Sequence, residues 1–374
     1  MPAVSSVLVI GGGAAGTATA ILLAERGVAV DLVEIKTDAT TTGSGITLQG
    51  NALRVLRQLG VWEAVLAAGY PFNSVGMRTP DGTLLFEIPD IRTGGPDLPA
   101  TLGMPRPDLA RVLLDRATSL GVKVRFGTTC TDLDQDDTGV RVTFSDGSHG
   151  RYDLAVGADG VRSWTRQALG VQLETRPTGM GIWRVFTRRP ASITRTDMVH
   201  GGPCHIAGYC PTGEDSLYAY LVEDATDRSA LTPDARLAIV RGLAAGYHGP
   251  WDEIREHLTD PSAVNYTRFE THFLDGPWHR GRVVLIGDAV HVCPPTLAQG
   301  AAQALEDAAV LAELLLAADR LDEALWTDFT ARRAARARAV VDASVQIGQW
   351  LLDRERGDVP GLIRDISTLV RDPA

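Results

Sequence analysis

An apolar strand, Val7-Leu8-Val9-Ile10, runs straight into Gly11-Gly12-Gly13-Ala14-Ala15-Gly16, and an apolar helical stretch and a second strand ending at Glu34 follow. No other feature constrains the chain as much. Strand, tight small-residue turn and helix in this order open a doubly wound α/β domain built on a parallel sheet. Gly11, Gly13 and Gly16 fit three jobs: a tight turn, close backbone approach to a pyrophosphate, and close packing of helix on strand. The exposed N–H groups and the helix dipole favour anionic phosphates there. An acid at Glu34, roughly twenty residues further on, accepts hydrogen bonds from ribose hydroxyls and repels a 2′-phosphate. Small-residue turns also occur for purely structural reasons. The flanking strands and the acid favour a dinucleotide joined through adenosine diphosphate.

Two later segments narrow the ligand. One is Val156-Gly157-Ala158-Asp159-Gly160; the other is Val283-Val284-Leu285-Ile286-Gly287-Asp288-Ala289, continuing through Pro294-Pro295 to Gly300. A hydride-transferring NAD enzyme has no need of a second strand-Gly-Asp turn near its C-terminus. Asp288 at a strand end offers a carboxylate to ribitol hydroxyls, and a helix opening near Gly300 aims its N-terminus at the pyrimidine edge of a flavin. Reduced flavin is anionic there, and a helix dipole contributes up to ~2 kcal/mol to holding such a charge. The expected cofactor is FAD.

Bulk properties exclude other classes. The 374 residues suit two parts sharing an interface. A net charge of -10 argues against a nucleic-acid partner, which needs a concentrated cationic footprint. The one basic run, Ala331 to Arg338, spreads its arginines around a helix and reads as a solvated face paired locally with Asp322, Glu323 and Asp328, rather than as a dock for a dinucleotide phosphate. Four cysteines, Cys130, Cys204, Cys210 and Cys293, lack metal-ligand or Cys-x-x-Cys spacing, so no metal and no redox pair are expected. The apolar stretch from Val7 to Ala24 is interrupted by glycines and preceded by no Lys or Arg, unlike a signal peptide. A cytoplasmic protein without membrane contact, monomer or homodimer, is expected.

Along the chain, a helix from about Asn51 to Leu59 precedes a hairpin of Val75 to Met77 and Leu84 to Ile88. Pro107-Asp108 opens a helix to about Leu120. Gly181 to Thr271 reads as antiparallel strands interrupted by one helix, about Pro233 to Ala245, and the tail from Asp322 to Arg371 as helical. The fold class is α/β: a Rossmann-like, glutathione-reductase-like FAD-binding domain with an inserted mixed β-sheet substrate domain and a helical C-terminal tail. The expected division assigns 1–70, 101–175 and 276–320 to a discontinuous FAD-binding domain, 71–100 and 176–275 to the substrate domain, and 321–374 to the tail.

The three motifs in this order resemble the single-component FAD-dependent aromatic hydroxylases, the flavoprotein monooxygenases typified by p-hydroxybenzoate, salicylate and 3-hydroxybenzoate 6-hydroxylases. The resemblance covers nearly the whole chain and does not reach a substrate. It implies that Ala15, Glu34 and Lys36 lie at the pyrophosphate and ribose, that the loop Gly43 to Thr47, with Ser44 and Gly45, is the mobile flavin loop, and that Arg106 opens a helix beside the cofactor. It further places backbone atoms of Cys130 against adenine, Asp159 in an Asp-Gly motif handling FAD and NAD(P)H, and Asp288, Pro295, Gly300 and Ala301 at the flavin. Lys36 replaces the usual arginine, and Ala298 stands where the helix-entry turn most often has glycine. The implied chemistry is reduction of the flavin by NADH or NADPH, addition of dioxygen at its C4a carbon, and transfer of oxygen from that hydroperoxide to a small phenolic or hydroxylated heteroaromatic substrate. The protein must exclude water and polarise a phenol.

Residues for that last task are expected on the second sheet. Alternation puts His205 and Tyr209 on one face of their strand and Tyr218 with Tyr220 on one face of the next. His205 has a reference pKa of ~6.5, suited to proton exchange. Trp183, Arg184 and His200 rank lower; Arg184 could hold a carboxylate, but a structural ion pair is the expectation. His291 is read as holding the Pro-rich turn rather than as a base or a covalent flavin link, and Cys293 as a small packed residue. Two other readings share the nucleotide domain, an FAD-dependent reductase of an unsaturated isoprenoid and a non-catalytic flavin-binding partner protein. A flavin halogenase is disfavoured for want of a Trp-x-Trp-x-Ile element.

Overall fold

The computed structural model describes residues 2–38 and 45–374. Five parallel strands form the first sheet, in the order Val283–Leu285, Leu154–Gly157, Ser6–Ile10, Ala29–Glu34 and Lys123–Phe126, with the short His279–Arg280 antiparallel at one edge. The near-continuous apolar content of Val283–Leu285, Leu154–Gly157 and Ser6–Ile10 follows from burial on both faces, whereas the edge strand Lys123–Phe126 is polar at alternate positions. Helices Ala14–Ala24 and Gly300–Ala317 pack on each other over this sheet. Cys130–Asp136, Gly139–Phe144 and His149–Tyr152 form the small antiparallel excursion between the Lys123–Phe126 and Leu154–Gly157 strands.

The second large sheet has eight strands in the order His291–Val292, Val264–Phe273, Arg176–Arg188, Ser216–Asp224, Ile206–Pro211, Thr196–Val199, Ser74–Arg78 and Leu84–Pro89. It is antiparallel except where Thr196–Val199 runs parallel to Ser74–Arg78. The hairpin expected at Val75 to Ile88 is therefore the edge of this sheet. Between the two large sheets, Gly45–Gln49, Thr101–Pro105 and Tyr70–Phe72 make a three-stranded bridge. One face of the large sheet is covered by two helices, Pro233–Ala244 and Pro250–His257, not the single helix expected. The second was missed because Trp251, Ile254 and Leu258 are its only apolar anchors, too few for a period to show.

The tail consists of helices Glu323–Asp353 and Val359–Arg371. Its arginines correct the local-pairing expectation. Arg333 is fully buried and pairs with Glu306 and Asp307 of the Gly300–Ala317 helix at 3.0 and 2.7 Å, while Arg336 holds Glu306 at 2.9 Å. Arg332 reaches Glu313 and Arg338 reaches Asp275. Spacing in one helix could not reveal acids 19 to 63 residues away. No helix among the described residues is long and apolar enough to cross a membrane, no metal-holding cluster occurs among them, and all four cysteines are free.

Candidate flavin and substrate site

The three glycine turns meet at the C-terminal ends of the parallel strands, where ligands of doubly wound sheets bind. The Gly11 N–H donates to the Val33 carbonyl at 2.8 Å and the Ala158 N–H to that of Ile10 at 2.8 Å. Gly11 has φ +107°, and a Cβ there would run into the Ala158 carbonyl, so neither the backbone nor the space admits a side chain. Gly16 would drive a Cβ into the Gly11 carbonyl, as a helix tight against its strand requires. Gly13 differs: a Cβ there meets nothing within 4 Å. Its small size serves the fold in no way the protein's own atoms show, which fits close approach of a phosphate. The helix Ala14–Ala24 begins at Gly13 without a side-chain cap, leaving its first N–H groups for an anion.

Glu34 closes this turn from the side. Its Oε2 accepts from the Gly12 N–H at 2.7 Å and its Oε1 from the Lys36 N–H at 3.0 Å, and each oxygen keeps a lone pair for a ribose hydroxyl. The Lys36 side chain is exposed. Cys130 is buried near Asp159, and burial pushes its thiol up to about 12, so it stays protonated. The Asp159 carboxylate accepts from the Thr165 N–H and hydroxyl at 2.8 and 2.9 Å and from the Ser163 hydroxyl. Together with Ser163, whose side chain caps the Trp164–Ala168 helix, it fixes the start of that helix, and the Ala158 carbonyl and the Asp159 Cα are the atoms nearest a Cβ at Gly11.

The third segment locks onto the first two. The Ile286 N–H donates to the Gly157 carbonyl at 3.0 Å, Arg166 donates to the Ala289 carbonyl at 2.7 Å, and Gly287, at φ +61°, packs on Ala15. His291, buried, hydrogen-bonds Asp307 at 2.7 Å, and the Gly287 N–H donates to the same carboxylate at 2.9 Å. Burial opposes ionisation of Asp307, yet His291 and Arg333 beside it hold its carboxyl at about 2. His272, which no pattern in the sequence singles out, bonds the Asp288 carbonyl through Nε2 at 3.0 Å and Thr175 through Nδ1 at 2.8 Å. Burial, with Arg166 nearby, pushes its pKa down to about 4. The Pro295–Leu297 turn is tied to the long tail helix by the Thr296 hydroxyl, which donates to the Ser344 carbonyl at 2.8 Å. Ala298 takes the left-handed conformation, φ 53° and ψ 30°, and Gly300 then opens a helix with no side-chain cap. Cys293 lies 3.7 Å from where a Gly300 Cβ would be, and burial pushes its thiol up to about 12.

Asp288 and Arg106 lie near each other beside the large sheet. Both reach solvent, yet protein crowds them from most sides: burial raises the Asp288 carboxyl above its ordinary value and lowers the Arg106 guanidinium below its own. Arg106 lies within the field of Arg184, Tyr218 and Asp288 together. The wall above is the large sheet. Arg184 stands directly across from Tyr220, and Phe186 from Tyr218, so these four share one face; the Tyr218 and Tyr220 rings lie 5.4 Å apart. Gly45 is pressed against Tyr218, with no room for a Cβ, which brings the strand after the expected flavin loop onto the same wall. Ser44 lies outside the described residues. Pro295 is exposed, and Ala301 is half-buried.

Two substrate candidates fall elsewhere. Tyr209 is on the opposite face, fully buried against Trp251 with its hydroxyl on Asp197 at 2.9 Å. His205 bonds the exposed Asp224 at 2.9 Å, about 17 Å along its strand from Cys210, the partner of Tyr218. Trp183 also faces away, its ring tilted at 51° against that of Tyr266, 4.7 Å between centroids. Arg184 corrects the ion-pair expectation: it donates to the Thr267 hydroxyl and lies against the Tyr218 hydroxyl, with no carboxylate partner among the described residues.

This site is a flavin site of known kind. Residues 4–344 match the FAD-binding domain family, and the chain belongs to it. It is 32% identical over 353 residues to the aurachin C monooxygenase/isomerase of Stigmatella aurantiaca, covering 92% of this chain and 90% of that one. It is 31% identical over 367 residues to the 6-hydroxynicotinate 3-monooxygenase of Bordetella bronchiseptica, covering 94% and 93%. The tetrameric form of 2-methyl-3-hydroxypyridine-5-carboxylic acid oxygenase superposes with a TM-score of 0.79 at 26% identity, covering 97% of each chain. The chain is an FAD-dependent monooxygenase of the aromatic hydroxylase type.

Proposed function

We propose that this enzyme uses NADH or NADPH and dioxygen to hydroxylate a small phenolic or hydroxylated heteroaromatic compound. The observation that carries this reading is the shared face of Arg184, Tyr218 and Tyr220 above Arg106 and Asp288. A planar ring can stack there beside the tyrosines while a polar edge meets guanidinium or hydroxyl. FAD, when bound, would supply the redox chemistry, two electrons from the nicotinamide and one dioxygen giving one oxygen atom on the ring and the other in water. The chain's own residues do the rest. Gly11 to Gly16 and Glu34 hold the adenosine end, Asp288 and the Gly300 helix hold the ring end, and the tyrosine wall excludes water. In this reading residues 1–70, 101–175 and 276–320 carry the cofactor, 71–100 and 176–275 the substrate, and 321–374 backs both. A relative named for 6-hydroxynicotinate supports a heteroaromatic substrate.

The test is to load purified protein with FAD and mix it anaerobically with NADH or NADPH, with and without hydroxybenzoates, hydroxynicotinates or hydroxyquinolines. At least one should accelerate flavin bleaching, and its aerobic product should carry an atom from labelled dioxygen. Bleaching indifferent to every such compound, or a product free of label, defeats the reading.

A further inference from the structure

The strand Leu84–Pro89 is the last of the eight-stranded sheet, and its outer edge meets no other strand among the described residues. Leu84, Leu85, Phe86 and Ile88 keep 39, 52, 50 and 49% of their surface in water, and they are four of the seven large apolar side chains left exposed among the described residues. Single exposed apolar residues need no partner, but a contiguous patch marks a contact surface. Phe86 stands across from Met77 and Ile88 from Val75, both half-buried, so apolar rows run from inside the sheet out to its last strand.

This edge is open but short. The Asp90 N–H donates to the Asn73 carbonyl at 2.8 Å, which fixes the phase of the ladder: Ile88 and Phe86 bond inward, and the Glu87 N–H and carbonyl point out of the sheet. Pro89 has no N–H to offer on one side of Glu87, and on the other the ladder is broken by a bulge where the register shifts between Met77 and Arg78. Charge then selects the occupant. The chain carries a net -10, which repels a second copy, yet this corner is neutral, with Arg78, Arg92 and Arg195 against Asp81, Glu87 and Asp90. Glu87 pairs with Arg195 at 3.0 Å, and Arg195 pairs with the buried Asp197 at 2.9 Å. An anionic lipid surface calls for an excess of cations, which the described residues of this corner do not supply.

We propose that this edge is the interface of a homodimer, in which Leu84–Pro89 of two copies pair antiparallel about a two-fold axis at Glu87. A two-fold strand pair must set one residue opposite itself, and between the bulge and Pro89 only Glu87 turns its main chain outward. The arrangement is self-complementary. The two Glu87 main chains exchange both hydrogen bonds, Phe86 of each copy stands opposite Ile88 of the other, and each Glu87 carboxylate stays on its own Arg195. With roughly 100 Å² hidden per apolar side chain, two copies cover about 800 Å², and the flanking main chain brings the total near the ~1,200 Å² at which specific interfaces begin. An isologous pair closes at two copies, and both outer edges are used up, so no filament grows. Phe86 shares its sheet face with Met77, Met198 and Tyr220, so the dimer presents both tyrosine walls on one side of a continuous sheet. The inference does not rest on the substrate proposed above.

The experiment is analytical sedimentation of the FAD-loaded enzyme over a wide range of protein concentration. Wild type should sediment as a dimer that dissociates on dilution. Replacing both Phe86→Asp and Ile88→Asp should raise the dimer dissociation constant by more than roughly a hundredfold. Flavin content and circular dichroism should not change, because both side chains are exposed in the single chain. Glu87→Cys tests the register. A hydrogen-bonded antiparallel pair sets its Cα atoms about 5.5 Å apart, inside the range of about 4.4–6.8 Å that a disulfide spans, so mild oxidation should link two copies. Thr83→Cys, well away from the axis, and wild type, whose four cysteines are buried or half-buried, should stay unlinked. A wild type that is monomeric throughout, a dimer indifferent to the paired aspartates, or a Glu87→Cys dimer that does not cross-link overturns the inference. A monomer that floats with phosphatidylcholine vesicles overturns it as well, and makes a lipid surface the occupant.

Discussion

The two faces of the eight-stranded sheet are built from the same kinds of residue and do opposite work. One carries Trp183 and Tyr209, packed with Tyr247, Trp251 and Ile254 into a core closed by two helices. The other carries half-buried Arg184 and Tyr220 and buried Tyr218, near the Asp288 turn. Alternation along a strand dictates that neighbours part company, so Tyr209 and Cys210, or Arg184 and Trp183, cannot serve the same face. It does not dictate which set faces the cofactor. That is decided by what covers each face, helices Pro233–Ala244 and Pro250–His257 on one side and the Gly45–Gln49 strand on the other.

The largest effect that sharpens this contrast is on the covered face. Trp251 is fully buried, with Tyr247 at 5.8 Å and Tyr209 at 6.3 Å between ring centroids. Trp251→Ala should cost about 3–5 kcal/mol in chemical denaturation. The FAD affinity of whatever remains folded should be unchanged. A variant that loses flavin while keeping its stability would show that the closed face is not merely structural.

Acid probes the seam where the sheet meets the cofactor turn. The folded pKa of His272 is near 4 against an ordinary 6.5, so the native state holds the neutral ring. Below pH 6.5 the unfolded chain binds a proton that the folded chain refuses, and stability falls as pH drops toward 4. The linkage from this group amounts to about 3 kcal/mol at pH 4. His272→Asn should flatten that part of the pH profile. An unchanged slope between pH 6.5 and 4 would mean that another group carries it.

A matched pair of substitutions tests the faces directly. Tyr209→Phe removes a buried hydroxyl from Asp197 and should cost about 1–2 kcal/mol of stability without changing turnover. Tyr218→Phe should leave stability within about 0.5 kcal/mol and slow substrate-stimulated NAD(P)H oxidation by roughly tenfold. If the two variants trade these phenotypes, the assignment of faces is inverted.

Legibility in the amino-acid sequence sorts by range. The three turns are legible because each is made by adjacent residues: Gly11 and Gly287 need positive φ, and their strands and helices adjoin them in the chain. Helix limits follow for the same reason, with Pro107 and Pro233 at helix starts. The paired-tyrosine wall is half legible, since spacing puts Tyr218 with Tyr220 but cannot tell Tyr209 from them. Arg184, Arg333 and His272 are not legible. Their meaning lies in Tyr218, Asp307 and the Asp288 carbonyl, partners brought near only by tertiary folding.

Ala298 belongs to both categories and gives the smallest effect. Its place in a turn that usually has glycine is visible in the sequence, and the structure shows the left-handed backbone that glycine would adopt without strain. An alanine there stores about 1 kcal/mol, held in place by Pro295 before it and the Gly300 helix after it. Glycine removes that strain but gains freedom in the unfolded chain, which offsets part of the benefit. Ala298→Gly should therefore stabilise the enzyme by no more than about 1 kcal/mol and leave flavin affinity alone. The fully buried Leu285, close by in sequence but in a regular strand, makes the control, since glycine there can only destabilise. Should Ala298→Gly lower stability by as much as the strain it removes, the alanine methyl must be making a contact that outweighs its backbone.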